Sequence, residues 1–251
     1  MLKEERQQII LDVLKRRGKV VAAELAKELD VSADTVQRDL KELSRSGLLQ
    51  RVHGGGLPRS PANTTFAQRQ LQSPEAKAHI ALAAIEFLQE DQTLFMDGGT
   101  TTLQLARSLP AHMRLNIITN SPPLAVALAD HPAVQIILLG GQLIKESLIT
   151  VGAGTVNAVR QMRADIFFMG VCSAHPDVGL STLYLDETYI KQAMIANANL
   201  VIGLMSPEKL NTASSFVVSP ITSLTHLITE KSVPEEALLP YQEAGIQTIR
   251  A

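Results

Sequence analysis

Positions 97–102 hold a run of small and hydroxyl-bearing residues, Asp-Gly-Gly-Thr-Thr-Thr. The run follows a short apolar segment and precedes a stretch with helical spacing, so its backbone amides open a helix. Glycines let a ligand approach the backbone closely, and a helix N-terminus favours negative charge. The alternative is a glycine turn with a threonine N-cap and no ligand. If a ligand binds here, we expect a phosphate-binding site made of Gly98, Gly99, Thr100, Thr101 and Thr102. Asp97 would then accept a hydrogen bond from a sugar hydroxyl.

A second set of candidate residues lies on a helix predicted from Ala33 to Ser46. Val36, Leu40 and Leu43 fall on one face of the helical wheel and predict the buried stripe. The opposite face is basic, and Ser32 is a suitable N-cap. A short helix with a basic outer face suits the major groove of DNA. The residues expected to contact DNA from this helix are Ser32, Thr35, Gln37, Arg38 and Lys41.

Residues 48–55, with the sequence Leu-Leu-Gln-Arg-Val-His-Gly-Gly, predict a pair of strands joined by a glycine turn. Such a hairpin after a recognition helix forms a wing, on which Arg51 and His53 would contact the DNA backbone or minor groove. Together with helices predicted over 3–17 and around 22–29, the pattern predicts a winged helix-turn-helix. The alternative is a protein-binding module whose charged face is only solvated.

Other polar candidates follow predicted strands. Asn120 ends one strand, and Lys209 is placed to supply a cation over the same pocket. Glu187 and Lys191 form an i,i+4 pair, which is more often a solvated face than a site. Six scattered histidines lack metal-ligand spacing, so we expect no metal and no cofactor. No acid or histidine is positioned to activate Cys172, which we expect to be a buried, inert thiol.

The elements that must position these residues change character along the chain. From residue 75 onward, short apolar strands alternate with helices, which predicts a mainly parallel α/β sheet covered on both faces. Ligands bind such sheets outside the carboxyl ends of the strands, where the polar runs lie. The strands are predicted at 93–96, 115–118, 134–139, 166–169, 200–204, 225–228 and 246–249, and the intervening helices include 122–130, 154–163, 187–197 and 235–244.

The charge is divided between the two parts of the chain. The whole chain carries a net charge of -2, but residues 1–59 hold 12 Lys/Arg against 9 Asp/Glu and are net +3, which leaves -5 for the remainder. Residues 54–65, rich in glycine and proline, separate the two parts. We therefore predict a DNA-binding domain at 1–57, a linker at 58–73 and an α/β domain at 74–251.

The overall composition limits the class of protein. Apolar residues make up 45% of the 251, which is ordinary for a globular protein. No apolar run approaches the ~20 residues that span a bilayer, so no membrane partner is expected. The N-terminus has no signal-peptide pattern, and one cysteine cannot form an internal disulfide, so we expect a cytoplasmic protein.

The N-terminal segment resembles the DNA-binding domain of the DeoR family of bacterial transcriptional repressors. The resemblance covers residues 20–56 and depends on the family's S-x-x-T-[IV]-R-R-D-L run followed by R-x-H-G-G. Here Gln37 replaces the first arginine of that run. Since arginine commonly reads guanine and glutamine adenine, we expect an operator that differs from the family norm at one base pair.

Residues 75–250 resemble the same family's C-terminal sensor domain, related in fold to ribose-5-phosphate isomerase. The resemblance depends on DGGTTT, on TNS at 119–121, on D-x-F-F-M-G at 165–170 and on Lys191. It implies a phosphorylated sugar or related effector that weakens operator binding. Met205 replaces an acid of the family pattern, which indicates a less hydroxylated effector or none. The residues that the resemblance assigns to the effector are Thr100, Thr101, Thr102 and Asn120, with Asp97, Lys191 and Lys209 closing the site.

These patterns predict a ligand-responsive repressor of a carbohydrate-metabolism operon that is not an enzyme. Because one small DNA-binding domain offers little contact area, we expect a homo-oligomer, either a dimer or a tetramer. Two alternatives remain. One is a sugar-phosphate isomerase with an accessory DNA-binding domain, and the other is a repressor whose sensor has lost its ligand.

Overall fold

The computed structural model describes residues 1–251. A basic N-terminal domain and a larger α/β domain are both present, and none of the helices is long and apolar enough to cross a membrane. The helices are α1 Lys3–Arg17, α2 Ala22–Glu28, α3 Ala33–Arg45, α4 Phe66–Leu71, α5 Pro74–Ile85, α6 Thr100–Arg107, α7 Pro122–Leu128, α8 Ala153–Arg160, α9 Leu185–Ala196 and α10 Leu239–Glu243. The strands are β1 Val20–Val21, β2 Gln50–Val52, β3 Gly55–Leu57, β4 Thr93–Met96, β5 Leu115–Thr119, β6 Val134–Leu138, β7 Gln142–Ile144, β8 Ile149–Val151, β9 Ala164–Gly170, β10 Ser173–His175, β11 Gly179–Thr182, β12 Ala198–Leu204, β13 Phe216–Ser219, β14 His226–Thr229 and β15 Gln247–Arg250.

The N-terminal domain is a winged helix-turn-helix, as predicted. Gly18 ends α1 in a left-handed conformation with φ of 69°, and the Ser32 side chain accepts a hydrogen bond from the Thr35 amide to cap α3. Val36 and Leu40 are fully buried in this domain's own core. The wing hairpin β2–β3 turns at Gly54, where φ is 78°, and β1 adds a third strand.

The second domain is built on a seven-stranded sheet in the order β15-β14-β12-β9-β4-β5-β6, and every strand pair in it is parallel. This confirms the predicted parallel α/β fold. Side chains alternate between two cores because successive residues of a strand point to opposite faces. Phe95 and Phe167 meet edge to face in one core, and Leu94 and Met96 lie in the other.

Some elements differ from the sequence prediction. The antiparallel sheet β10-β11-β13 and the hairpin β7–β8 were not predicted. The helix predicted at 235–244 is wrong as a single element: a 3-10 turn at Glu235–Ala237 precedes the five-residue α10. Pro240 lacks an amide hydrogen, so it is accommodated only in the first turn of a helix.

Residues 58–73, which we call the interdomain segment, pack on the α/β domain. Arg59 pairs with Ala213 in an isolated β-bridge. The Ser60 hydroxyl donates a 2.7 Å hydrogen bond to the Cys172 carbonyl. The segment then continues into α4, which begins at Phe66 just after the glycine- and proline-rich residues 54–65. The domain boundaries predicted at residues 57 and 74 remain a prediction.

Candidate effector pocket and nucleic-acid interface

The glycines of the 97–102 run lie at the carboxyl end of β4, beside the end of β9, and their smallness is required there. A β-carbon at Gly98 would stand 1.8 Å from Cγ2 of Ile149, and one at Gly99 would stand 3.1 Å from the Gly170 Cα. No larger residue fits this approach of two strand ends. The turn therefore delivers the chain directly into the N-terminus of α6.

The N-terminus of α6 has polar groups without partners. Gly99 is its N-cap and gives no side-chain cap, so the amides of Thr100 and Thr101 have no intrahelical acceptor. The Thr101 hydroxyl is buried, lines the pocket and has no hydrogen-bond partner. Thr102 is different, because its hydroxyl lies 2.8 Å from both the Asp97 and the Gly99 carbonyl oxygens, which share its one donor hydrogen, and Thr102 does not line the pocket. Thr100 and Thr101 are thus the threonines available to a ligand.

Asp97 and Lys191 form a buried ion pair at the wall of the pocket, which Lys191 lines. The Lys191 ammonium donates to Oδ2 of Asp97 and, at 3.0 Å, to the Gly170 carbonyl, while the Gly170 amide donates to Oδ1 of Asp97. Glu187 Oε1 lies 3.4 Å from the same ammonium. Burial raises the pKa of Asp97, although Lys191 acts to lower it. Burial also acts to lower the pKa of Lys191, but the carboxylates of Asp97 and Glu187 outweigh that effect, and the pKa of Lys191 is raised. Of the two interpretations of the Glu187–Lys191 pair, the solvated helix face does not hold, because Lys191 is 3% exposed.

Two further cations face the pocket without a carboxylate partner. Lys209 is buried and Arg69 is partly buried, and neither forms an ion pair. Burial lowers the pKa of both side chains. Because unpaired buried cations are unfavourable, their presence around one pocket indicates that an anion belongs there.

The cavity volume of the pocket is about 40 Å³, and the space rises to about 490 Å³ when the adjoining open solvent at its mouth is counted. Asn120 does not line it: its amide donates 3.0 Å to the Thr150 carbonyl, and its Oδ1 has no partner. Met205 is also outside the pocket, fully buried in the apolar core. An effector in this pocket would not touch side chain 205, so Met205 does not remove a contact here. The remaining wall includes Ala62, Ser147, Val171, Cys172, Thr182, Leu183, Tyr184 and Glu187.

The candidate nucleic-acid interface is the outer face of α3 together with the wing. Arg38, Lys41 and Arg51 are exposed, as is His53. The Arg51 guanidinium donates 3.2 Å to the Gln37 side chain, which joins the wing to the helix. On the opposite side of α3, Asp39 is buried in an ion pair with Arg6 of α1, which fixes the orientation of α3.

Both parts of the chain match family models. Residues 6–58 match a DeoR-like helix-turn-helix domain, and residues 72–231 match the DeoR C terminal sensor domain. The chain belongs to the DeoR family. It is a DNA-binding transcriptional regulator of that family, with a helix-turn-helix domain and a sensor domain.

Several DeoR-family relatives match over nearly their whole length. The HTH-type transcriptional regulator GolR of Listeria innocua is 30% identical to this chain, and the alignment covers 96% of each of the two chains. The HTH-type transcriptional repressor CsqR of Escherichia coli is 31% identical over 96% of this chain and 92% of its own. The Glycerol-3-phosphate regulon repressor of the same organism is 30% identical over 98% of each. Among solved structures, ribose 5-phosphate isomerase A of Methanocaldococcus jannaschii is 14% identical, with a TM-score of 0.41 over 55% of each chain.

The pocket of this DeoR-family regulator contains residues that sequence reasoning missed. Arg69 and Ala62 come from the interdomain segment, and Tyr184 precedes α9. Cys172 is partly exposed and lines the pocket, so the expectation of a buried thiol is wrong. The one sequence feature that points to a pocket position for Cys172 is its place just after the end of a strand at Gly170. No motif links Arg69 to residues a hundred positions away.

Proposed function

We propose that this chain is a ligand-responsive transcriptional repressor of a carbohydrate-metabolism operon. The winged helix-turn-helix binds operator DNA through α3 and the wing. A phosphorylated sugar or related metabolite occupies the pocket at the N-terminus of α6 and weakens operator binding. The protein acts as a homo-oligomer in the cytoplasm, where both DNA and phosphorylated metabolites are found.

The observation that carries the sensor half of the proposal is the polarity of the pocket. A buried hydroxyl without a partner (Thr101), open helix amides and two cations without carboxylates (Arg69 and Lys209) surround one space. Each of these groups is costly to leave unsatisfied, and a phosphate monoester satisfies all of them. Of the residues that the sequence predicts for this site, we propose Gly98, Gly99, Thr100, Thr101 and Lys209 as contacts, with the Asp97–Lys191 ion pair supporting them at the pocket wall.

A thermal-shift screen tests this function. At about 100 times its dissociation constant a ligand adds ~2.7 kcal/mol to the free energy of unfolding, so a fitting sugar phosphate raises the melting temperature by several degrees. We expect phosphorylated sugars to act and their unphosphorylated forms to have no effect. A broad panel without any shift would favour the repressor that has lost its ligand.

The geometry gives no support to an isomerase. Sugar-phosphate isomerisation needs a free general base beside the substrate carbon. Asp97 is held by Lys191 and the Gly170 amide and does not line the pocket, and Glu187 is paired with the same lysine. We therefore expect no turnover of pentose or hexose phosphates. Product formation above the rate of a heat-denatured sample would contradict this.

A further inference from the structure

Two residues of the pocket, Ala62 and Arg69, come from the interdomain segment, and Arg69 is the charged one. Arg69 lies on α4 and lines the pocket together with Thr101, Cys172 and Lys209. The Lys77 ammonium donates to the carbonyls of Arg69 and Gln72, so it fixes the end of α4 from below. The backbone that carries Arg69 is therefore held against α5, to which Lys77 belongs.

The hydrogen bonds of Arg69 leave most of its donors free. Nη1 donates to the Thr64 carbonyl at 2.5 Å and to the Ala62 carbonyl at 3.4 Å. No hydrogen bond is formed by Nε or Nη2, although a guanidinium carries five N–H groups in a fork that matches phosphate. The side chain forms no ion pair, and its Cζ lies over the Phe66 ring, 5.8 Å from the ring centroid. A partly buried fork with free donors, facing a pocket with a second unpaired cation, is suited to an anion.

We propose that Arg69 binds the anionic group of the effector directly, opposite the amides of α6, and that this contact transmits occupancy of the pocket to the DNA-binding domain. The inference depends on the proposed function, because it names a further residue of the same pocket. It adds that the pocket is complete only when the interdomain segment is docked.

The connection from Arg69 to the DNA-binding domain is short. Nη1 of Arg69 donates hydrogen bonds to the Ala62 and Thr64 carbonyls, and the Ser60 hydroxyl donates one to the carbonyl of the pocket residue Cys172. The wing strand β3 ends at Leu57, only three residues before Ser60. An anion that reorients Arg69 therefore changes the hydrogen bonds of the segment from which the wing extends. By linkage, any factor by which the anion weakens DNA binding is also the factor by which DNA weakens anion binding.

The first test measures binding of inorganic phosphate to the full chain by calorimetry, at constant ionic strength. We expect Arg69→Met, which keeps the apolar stem, to weaken phosphate binding at least tenfold. Arg69→Lys restores part of the affinity, because a point charge replaces the fork. Arg107→Ala, which removes an exposed arginine at the far end of α6, leaves the affinity unchanged.

The second test measures binding to a DNA fragment selected from a random pool by the wild-type protein. Phosphate weakens wild-type binding, whereas Arg69→Met binds the DNA equally with and without saturating phosphate. A purely structural Arg69 would instead alter DNA binding by the same factor in both conditions, which contradicts the proposal.

The remaining outcomes separate the two claims. If Thr101→Val weakens phosphate binding but Arg69→Met does not, the pocket stands and the role of Arg69 is wrong. If the wild-type protein binds neither phosphate nor any phosphorylated sugar, the proposed function falls and this inference falls with it.

Discussion

Thr101 presents a polar atom that the folded protein leaves unsatisfied. Its hydroxyl is 1% exposed and has no partner, so the free protein carries a desolvation cost that a ligand would remove. Thr101→Val replaces this hydroxyl by a methyl group of the same size. We expect the variant to be as stable as wild type or more stable, and to bind phosphorylated ligands ~10- to 100-fold more weakly, since a hydrogen bond to a charged group contributes ~1.5–3 kcal/mol.

Thermal unfolding with and without ligand measures both effects, and Thr101→Ser serves as the control that keeps the hydroxyl. Ligand affinity unchanged in Thr101→Val would show that this hydroxyl faces no effector.

We expect Lys191 to contribute more to the stability of the folded protein than to effector binding. It neutralises Asp97 in a site where both side chains are 4% exposed or less. Lys191→Met leaves a buried carboxylate without its partner, and breaking such a pair typically costs ~3–5 kcal/mol of unfolding free energy. Replacing both, as Asp97→Asn with Lys191→Met, recovers part of that loss. Denaturant unfolding measures it, with the exposed Lys145→Met as control. A loss below about 1 kcal/mol in the single variant would contradict a charged pair.

Gln37 is the residue of α3 best placed to set operator preference. It lies at the junction with the wing, where its side chain accepts from Arg51. Glutamine pairs with adenine and arginine with guanine, so Gln37→Arg should change the preferred base at one position, with discrimination of ~1–3 kcal/mol. Selection from a random DNA pool measures the preference. Gln8→Arg adds the same charge on an exposed face of α1 and should leave the preferred sequence unchanged. Identical selected sequences for wild type and Gln37→Arg would disprove the assignment.

At the scale of elements, the sequence was informative wherever the apolar pattern was strong. All the parallel strands except β15 contain a short apolar run, and the predicted positions of the seven strands agree with the structure within a few residues. The sequence does not predict strands β10 and β11, because polar residues interrupt any apolar run in them. These polar residues are nevertheless buried: Ser173, His175, Ser181 and Thr182. Their burial depends on the pairing of β11 with β10 and with β13, which no local pattern encodes.

The pocket shows the same limit. The 97–102 run was visible because its glycines and threonines are contiguous, whereas Arg69 and Cys172 reach the pocket only through tertiary contacts. Asn120 and Thr102 illustrate the converse, since polar residues of the right type satisfy backbone carbonyls instead of facing the pocket.

The interdomain segment is the element that joins sensing to DNA binding. The Ser60 hydroxyl donates to the Cys172 carbonyl and accepts from the Ala62 amide at 3.2 Å. We expect Ser60→Ala to leave phosphate affinity within about twofold of wild type, because Ser60 does not line the pocket, and to cost ~1 kcal/mol of stability. The factor by which phosphate weakens DNA binding should fall toward one. Titration of the selected DNA with and without phosphate measures this factor. Ser232→Ala, which removes a hydroxyl bonded to Glu230 near the carboxyl end, is the control; equal coupling in Ser60→Ala and wild type would contradict the route.

For the whole molecule, the net charge of -2 is the sum of two domains with different partners. The DNA-binding part is net +3 and the remainder is net -5. Non-specific affinity for DNA depends on the number of phosphates neutralised, so a domain this weakly basic holds DNA poorly by itself. The acidic remainder adds repulsion. We therefore predict that useful affinity requires two DNA-binding domains held by one oligomer.

That requirement predicts a dependence on the spacing of operator half-sites. Two domains fixed in one oligomer meet the same face of DNA only when their half-sites are separated by whole helical turns of about 10–10.5 base pairs. Inserting about 5 base pairs between the half-sites turns one of them to the opposite face, and we expect binding to fall more than tenfold. An insertion of about 10 base pairs restores the face and part of the affinity, as far as the oligomer can stretch. Gel-shift titrations at one salt concentration measure all three DNA fragments. Equal affinity for the three, or for a single half-site, would show that one weakly basic domain is sufficient.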